Sequence, residues 1–154
     1  MFAQICGNLN RQAKGLELLS ELQREEYDLL LKRDSEAISS LEFSIHELLR
    51  QLAVERDELK GVMQGTRVLE YAGLLPEEDG DKVRELMTAI DRTEQECAKQ
   101  AERNSSLSLA LLDQSHDLMT YLYDQIQPKQ ENVYTAKGSY NVNRPQASII
   151  SGRL

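Results

Sequence analysis

SSLEFSIHELLRQLAVERDELKGVM, residues 39–63, carries the most regular apolar pattern in the chain. Leu41, Ile45, Leu48, Leu52, Leu59 and Val62 or Met63 alternate at threes and fours, with Glu55 occupying the one polar step in the series. That period matches a helix burying a single stripe, and it conflicts with the alternation of two that a strand needs. Glu42, Glu47, Arg50, Arg56, Asp57 and Lys60 fill the remaining faces, as expected for a helix that turns one side to its neighbours and the rest to water.

The same period runs to either side. Upstream, Leu9, Leu16, Leu19, Leu22, Leu29 and Leu30 mark an amphipathic helix, with Asn8 as a candidate N-cap. The phase slips between Lys32 and Ser35. Asp34 or Ser35 can cap a new segment there, with Glu36 in its first turn, so a kink or tight turn is expected. Downstream, Gly61 and Gly65 loosen the end of the second helix, and YAGLLPEEDGD, residues 71–81, reads as a loop with Asp81 capping the next helix. From Val83 to Ile126 nothing breaks a third helix. Its first part carries the modest residues Val83, Met87, Ile90, Cys97 and Ala101, its centre is the polar Asn104–Ser106, and its last part is dense in Leu.

These readings give an all-α fold: an elongated antiparallel helical bundle or coiled coil of about three long helices, near residues 8–32, 35–70 and 81–126. Residues 1–127 form the bundle. Residues 128–154, which hold Pro128, Gly138, Pro145 and Gly152 and few apolar side chains, are expected to be a disordered tail. Whether the first two helices are continuous, and whether the chain self-associates, stays open at this level.

Composition narrows the function classes. The formal net charge is −8, made of −11 over residues 1–127 and +3 over the tail, so phosphate backbones and anionic lipid are poor partners. No apolar run approaches the ~20 residues that span a bilayer, and MFAQICGNLNRQ is no secretory signal, so membrane insertion is not expected. Cys6 and Cys97 stand alone, which suits free thiols in a reducing cytoplasm. His46 and His116 are single, without a metal-ligand pattern, and no nucleophile elbow, phosphate loop or dinucleotide loop is present. No catalytic, cofactor-binding or metal residue is assigned, and the chain reads as a non-enzyme.

The Leu-dense end of the third helix is where function is expected. Leu107, Leu109, Leu111, Leu112, Leu118, Met119, Leu122 and Ile126 cover more than one face. One stripe suffices to join a bundle, so the second is either buried between two neighbours or left for another protein's helix.

LLSELQREEYDLLLKRDSEAISSLEFSIHELLRQLAVERDEL, residues 18–59, resembles the FlgN family of flagellar export chaperones. The matching parts are the run ending at Tyr27, Leu29 and Leu30, the acidic step Asp34, Glu36, Ala37 and Leu41, and the pair Glu55–Arg56. NSSLSLALL at 104–112 looks like the family's Asn-led, Leu-rich final helix, followed by Pro128 and the element YTAKG at 134–138. Each piece is degenerate, and it is their order that carries the resemblance. Nothing beyond Gly138 matches. The resemblance implies a cytoplasmic chaperone, inactive as an ATPase, that holds the C-terminal helical segments of the hook-associated proteins FlgK and FlgL and presents them to the export gate protein FlhA. Leu107, Leu111, Leu118, Leu122 and Ile126 can supply the apolar client-binding face, and Tyr134 is the residue that the resemblance associates with docking at the gate. Two other classes compete with it: a structural coiled-coil subunit pairing through the 41–63 seam, and a helical regulator that sequesters a protein partner.

Overall fold

A computed structural model describes residues 1–126, and the tail read as disordered, with Tyr134, lies outside the described residues. Those residues form four helices: α1 (Phe2–Lys32), α2 (Ser35–Met63), α3 (Val68–Gly73) and α4 (Glu77–Ile126). The chain divides into two compact units, Met1–His116 and the portion from Asp117 onward. The hydrophobic core described below belongs to the first.

Three seams meet in that core. On α1 the buried positions Ile5, Leu9, Gln12, Leu16, Leu19, Gln23 and Leu30 follow a four-three alternation, with Glu26 at the remaining step. On α2 they are Leu41, Ile45, Leu48, Leu52 and Met63, with Leu59 half-buried beside them. On α4 Val83, Ile90, Cys97 and Asn104 recur at sevens. A seven-residue repeat keeps one helix face against its neighbour with slight supercoiling, which is why these sequences read so clearly as helices.

Helix α1 begins six residues before the expected start near residue 8. Asn8 is no cap: it lies within the helix, 4% exposed. Its amide nitrogen donates to the Glu55 carbonyl oxygen at 2.8 Å and to Glu55 Oε2 at 2.7 Å, while its Oδ1 accepts from Gln12 Nε2 at 2.6 Å. The N-terminus of α1 has no side-chain cap to mark it in the sequence.

The slip at residues 32–35 is a tight turn between separate helices. Arg33 takes a left-handed conformation with φ 57°, and the Asp34 side chain caps α2 by accepting from the Ala37 N–H at 3.0 Å. With two residues between them, α1 and α2 run antiparallel. Their far ends are tied by Asn8, and by Arg11, whose Nε and Nη2 donate to the two Glu55 carboxylate oxygens at 2.7 and 2.8 Å. Gly15 lies where the two helices approach closely: a Cβ there would sit 2.8 Å from Leu52 Cδ2.

The connection from α2 to α4 differs from the expected one. Helix α2 ends at Met63, short of residue 70, where Gln64 (φ 47°) and Gly65 (φ 90°) reverse the chain. Helix α3 (Val68–Gly73) straddles the end of the expected second helix and the start of the stretch read as a loop, and its Ala72 is fully buried. Helix α4 starts at Glu77, ahead of Asp81. Pro76 accepts from the Asp79 and Gly80 N–H groups, and Glu77, Glu78 and Asp79 place negative charge in the first turn. Gly80, which looks like a loop residue in sequence, is instead helical, and it has no room for a side chain. A Cβ would lie 2.5 Å from the Ala72 carbonyl oxygen.

Helix α4 returns parallel to α1. Cys97 Sγ contacts the Leu16 carbonyl oxygen at 3.5 Å, Asn104 Nδ2 donates to the Gln23 carbonyl oxygen at 2.7 Å, and Arg33 Nη2 donates to Gln114 Oε1 at 2.8 Å. All three pairs are 81 residues apart, so one register holds from Leu16 to Arg33. An ion pair between Arg56 and Glu94 ties α2 to α4.

Candidate functional site

The heptad series of α4 passes from buried to exposed along its length. Asn104 is its last buried member. Leu107 and Leu111 are half-buried, and from Leu112 to Ile126 every residue is exposed. Within the first unit, Leu109 and Leu112 present their side chains to solvent. Within the second, so do Leu118 (58% exposed), Leu122 (44%) and Ile126 (79%), together with Met119, Tyr121 and Tyr123. Of the five leucine and isoleucine positions expected to bind a client, two therefore pack partly on their own chain and three stand open. Tyr121 and Tyr123 are missing from the sequence-based set. A helix that is apolar on several faces without covering neighbours presents the kind of surface on which interaction sites are found.

The boundary of the packed region is polar. Asn104 Nδ2 also donates to Glu26 Oε2 at 2.6 Å, and Gln100 Nε2 donates to Asn104 Oδ1 at 2.9 Å. Burial pushes the Glu26 carboxyl above the ordinary glutamate range, and its hydrogen bond with Glu42 raises it further; Asn104 acts in the opposite direction. Beside this junction Tyr27, Glu102, Arg103, Ser106 and Leu107 line a shallow groove. It is too open to enclose a small substrate.

Neither cysteine is poised as a nucleophile. Burial pushes the thiols of Cys6 and Cys97 up, away from the thiolate form that reacts. His46 Nε2 lies 3.6 Å from Glu42 Oε2 on an exposed face, and His116 is exposed on α4. Among the described residues no group of three or more His, Cys, Asp or Glu could hold a metal ion, and no helix is long and apolar enough to cross a membrane.

A family model described as FlgN protein matches residues 1–141. The chain belongs to the FlgN family. The match takes in all four helices and the exposed end of α4, and it extends into the segment that carries Tyr134. A search of curated proteins and a search of solved structures each return no match. For this FlgN-family chain the described surface thus supplies one feature suited to function, the open apolar end of α4.

Proposed function

We propose that this FlgN-family chain is a cytoplasmic flagellar export chaperone. It binds the C-terminal helical segments of the hook-associated proteins FlgK and FlgL through the end of α4, prevents their premature assembly, and presents them to the export gate protein FlhA through Tyr134. Family membership supports the chaperone role. The observation that carries the binding mode is the run of six exposed apolar or aromatic side chains between Leu118 and Ile126.

The energetics suit a reversible carrier. Burying Leu118, Met119, Leu122 and Ile126 releases ~1.5–3 kcal/mol each, on the order of 10 kcal/mol in total. Ordering the client segment and losing rigid-body freedom consume much of this, leaving an affinity compatible with release. The competing structural reading requires the 41–63 seam for pairing between chains. Leu41, Ile45, Leu48, Leu52 and Met63 are already buried in the chain's own core, which removes the motive for that reading.

The test is size-exclusion chromatography of the chain mixed with a C-terminal FlgK or FlgL fragment at tens of micromolar. A co-eluting 1:1 complex, lost in the double variant Leu118→Ser/Leu122→Ser, is expected; an unshifted elution on mixing sinks the client assignment. Tyr134→Ala should weaken FlhA binding and spare client binding. Loss of both, or of neither, rejects the role assigned to that tyrosine.

A further inference from the structure

The exposed end of α4 contains more apolar surface than one helix can cover. With ~100° per residue in an α-helix, and Leu118 taken as the origin, Leu122 lies near ~40°, Ile126 near ~80°, Met119 near ~100° and Tyr123 near ~140°. Tyr121 lies on the other side, near ~300°. Together they span an arc of roughly 200°, with Gln125 near ~340° as the polar residue inside it, about twice the ~100° stripe that an ordinary amphipathic helix turns to its neighbours. All six are exposed.

The two borders of the arc are both tyrosines. A tyrosine ring packs against an apolar neighbour while its hydroxyl stays in water, which suits the edge of a covered surface better than its centre. Opposite the arc, Asp117 and Asp124 lie within ~20° of each other, and Asp113 continues the same stripe one turn earlier. From Asn104 to Pro128 the sequence has no Lys or Arg to offset them. Burying that back stripe would strand unpaired carboxylates, so it stays in water.

We propose that the surface from Leu118 to Ile126 is built to be clasped from both sides by two apolar helices of one client segment, with Lys or Arg at their outer edges. This rests on the chaperone reading above and specifies its partner: a single amphipathic helix would cover one border tyrosine and leave the other wet. The arc width sets the number of helices, and Asp117 and Asp124, which have no Lys or Arg on their own stretch of helix, set the sign of the client's flanking charge.

Hydroxyl-radical footprinting of the unaltered chain reads this directly, because Met119, Tyr121 and Tyr123 are all readily oxidised and are resolved by tandem mass spectrometry. The chain is exposed alone, at two concentrations, and with a saturating C-terminal FlgK fragment at low and high salt. Expected is a severalfold slowing at both Tyr121 and Tyr123 in the complex, with Met119 protected as well, and a complex that weakens as salt rises. Protection of only one tyrosine overturns the two-sided clasp while leaving the chaperone reading intact, and an affinity indifferent to salt overturns the basic flanks. Protection that grows with the concentration of the chain alone assigns the surface to a second copy and also overturns the proposal. A complex in which none of the three is protected places the client elsewhere. Failure to form a complex removes the chaperone reading and this inference together.

Discussion

Gly80 and Asn8 show how a residue's identity misleads when its neighbours are unknown. Glycine beside proline and a run of acids suggests a loop, yet Gly80 sits in the first turns of α4 because α3 crosses it. The Ala72 carbonyl oxygen occupies the space a Cβ would need. Gly80→Ala should therefore destabilise the fold by about 1–3 kcal/mol, despite alanine's better helix propensity, since backbone must move to admit the methyl group. Urea unfolding of the two proteins measures it. Asn8 resembles a cap but is a buried connector, and Asn8→Ala removes the acceptor of Gln12 Nε2 and a donor to Glu55 together. A loss of about 1–3 kcal/mol is expected in the same assay.

Two carboxylates on the helix seams give opposite pH responses. The Arg11 guanidinium hydrogen-bonds the Glu55 carboxylate and holds its pKa low. Its contribution is present above the ordinary glutamate value and is lost as pH falls through the lowered one. Glu26 is raised by burial and by its bond with Glu42, so its contribution is full below the ordinary value and is lost as pH rises through the raised one. Once pH passes the raised value, the ionised Glu26 costs stability. Glu26→Gln keeps an acceptor for Asn104 and should melt at higher temperature than the unaltered chain at pH 7. That advantage should disappear below about pH 4.5, where Glu26 is protonated in folded and unfolded chains alike.

At the scale of elements, the three long helices were legible because each buries a heptad stripe, and the period of that stripe is a property of the sequence alone. Leu41 to Met63 on α2 and the α1 leucines are such cases. Boundaries were less legible where no side chain announces them. Helix α1 starts without a side-chain cap, and α2 ends on Gln64, a residue with no special preference for its left-handed conformation. The start of α2 is the counterexample: the sequence offers Asp34 or Ser35 as its cap, and the structure selects Asp34. The α1–α4 pairing rests on Asn104 at the end of the buried series. Asn104→Ala should speed backbone hydrogen exchange in α4 around and beyond residue 104, with smaller effects near Val83 and Ile90, because it removes the last buried polar link between the two helices.

For the whole molecule, the division of labour lies along α4. Positions 83, 90, 97 and 104 serve the fold, whereas the apolar side chains from Leu118 on stand in solvent. Truncation of Val83 or Ile90 to Ala should lower the stability of the whole fold, whereas Leu118→Ser/Leu122→Ser should leave thermal stability within about 0.5 kcal/mol of the parent while abolishing client binding. Coupled loss of stability and binding would instead mean that this end of α4 is packed in solution.

The apolar excess of residues 107–126 was visible in sequence as leucines on more than one face. What the sequence determined is local: helix period, a cap at Asp34 or Ser35, the acidic balance, and more apolar surface on α4 than one neighbour requires. It could not say which leucines are spent on the core, because Leu107, Leu111 and Leu118 are chemically equal and share the same seam. Only the tertiary structure separates them, through the length of α1 and the place where it turns into α2. The register of 81 residues brings Arg33, the left-handed residue of that turn, level with Gln114.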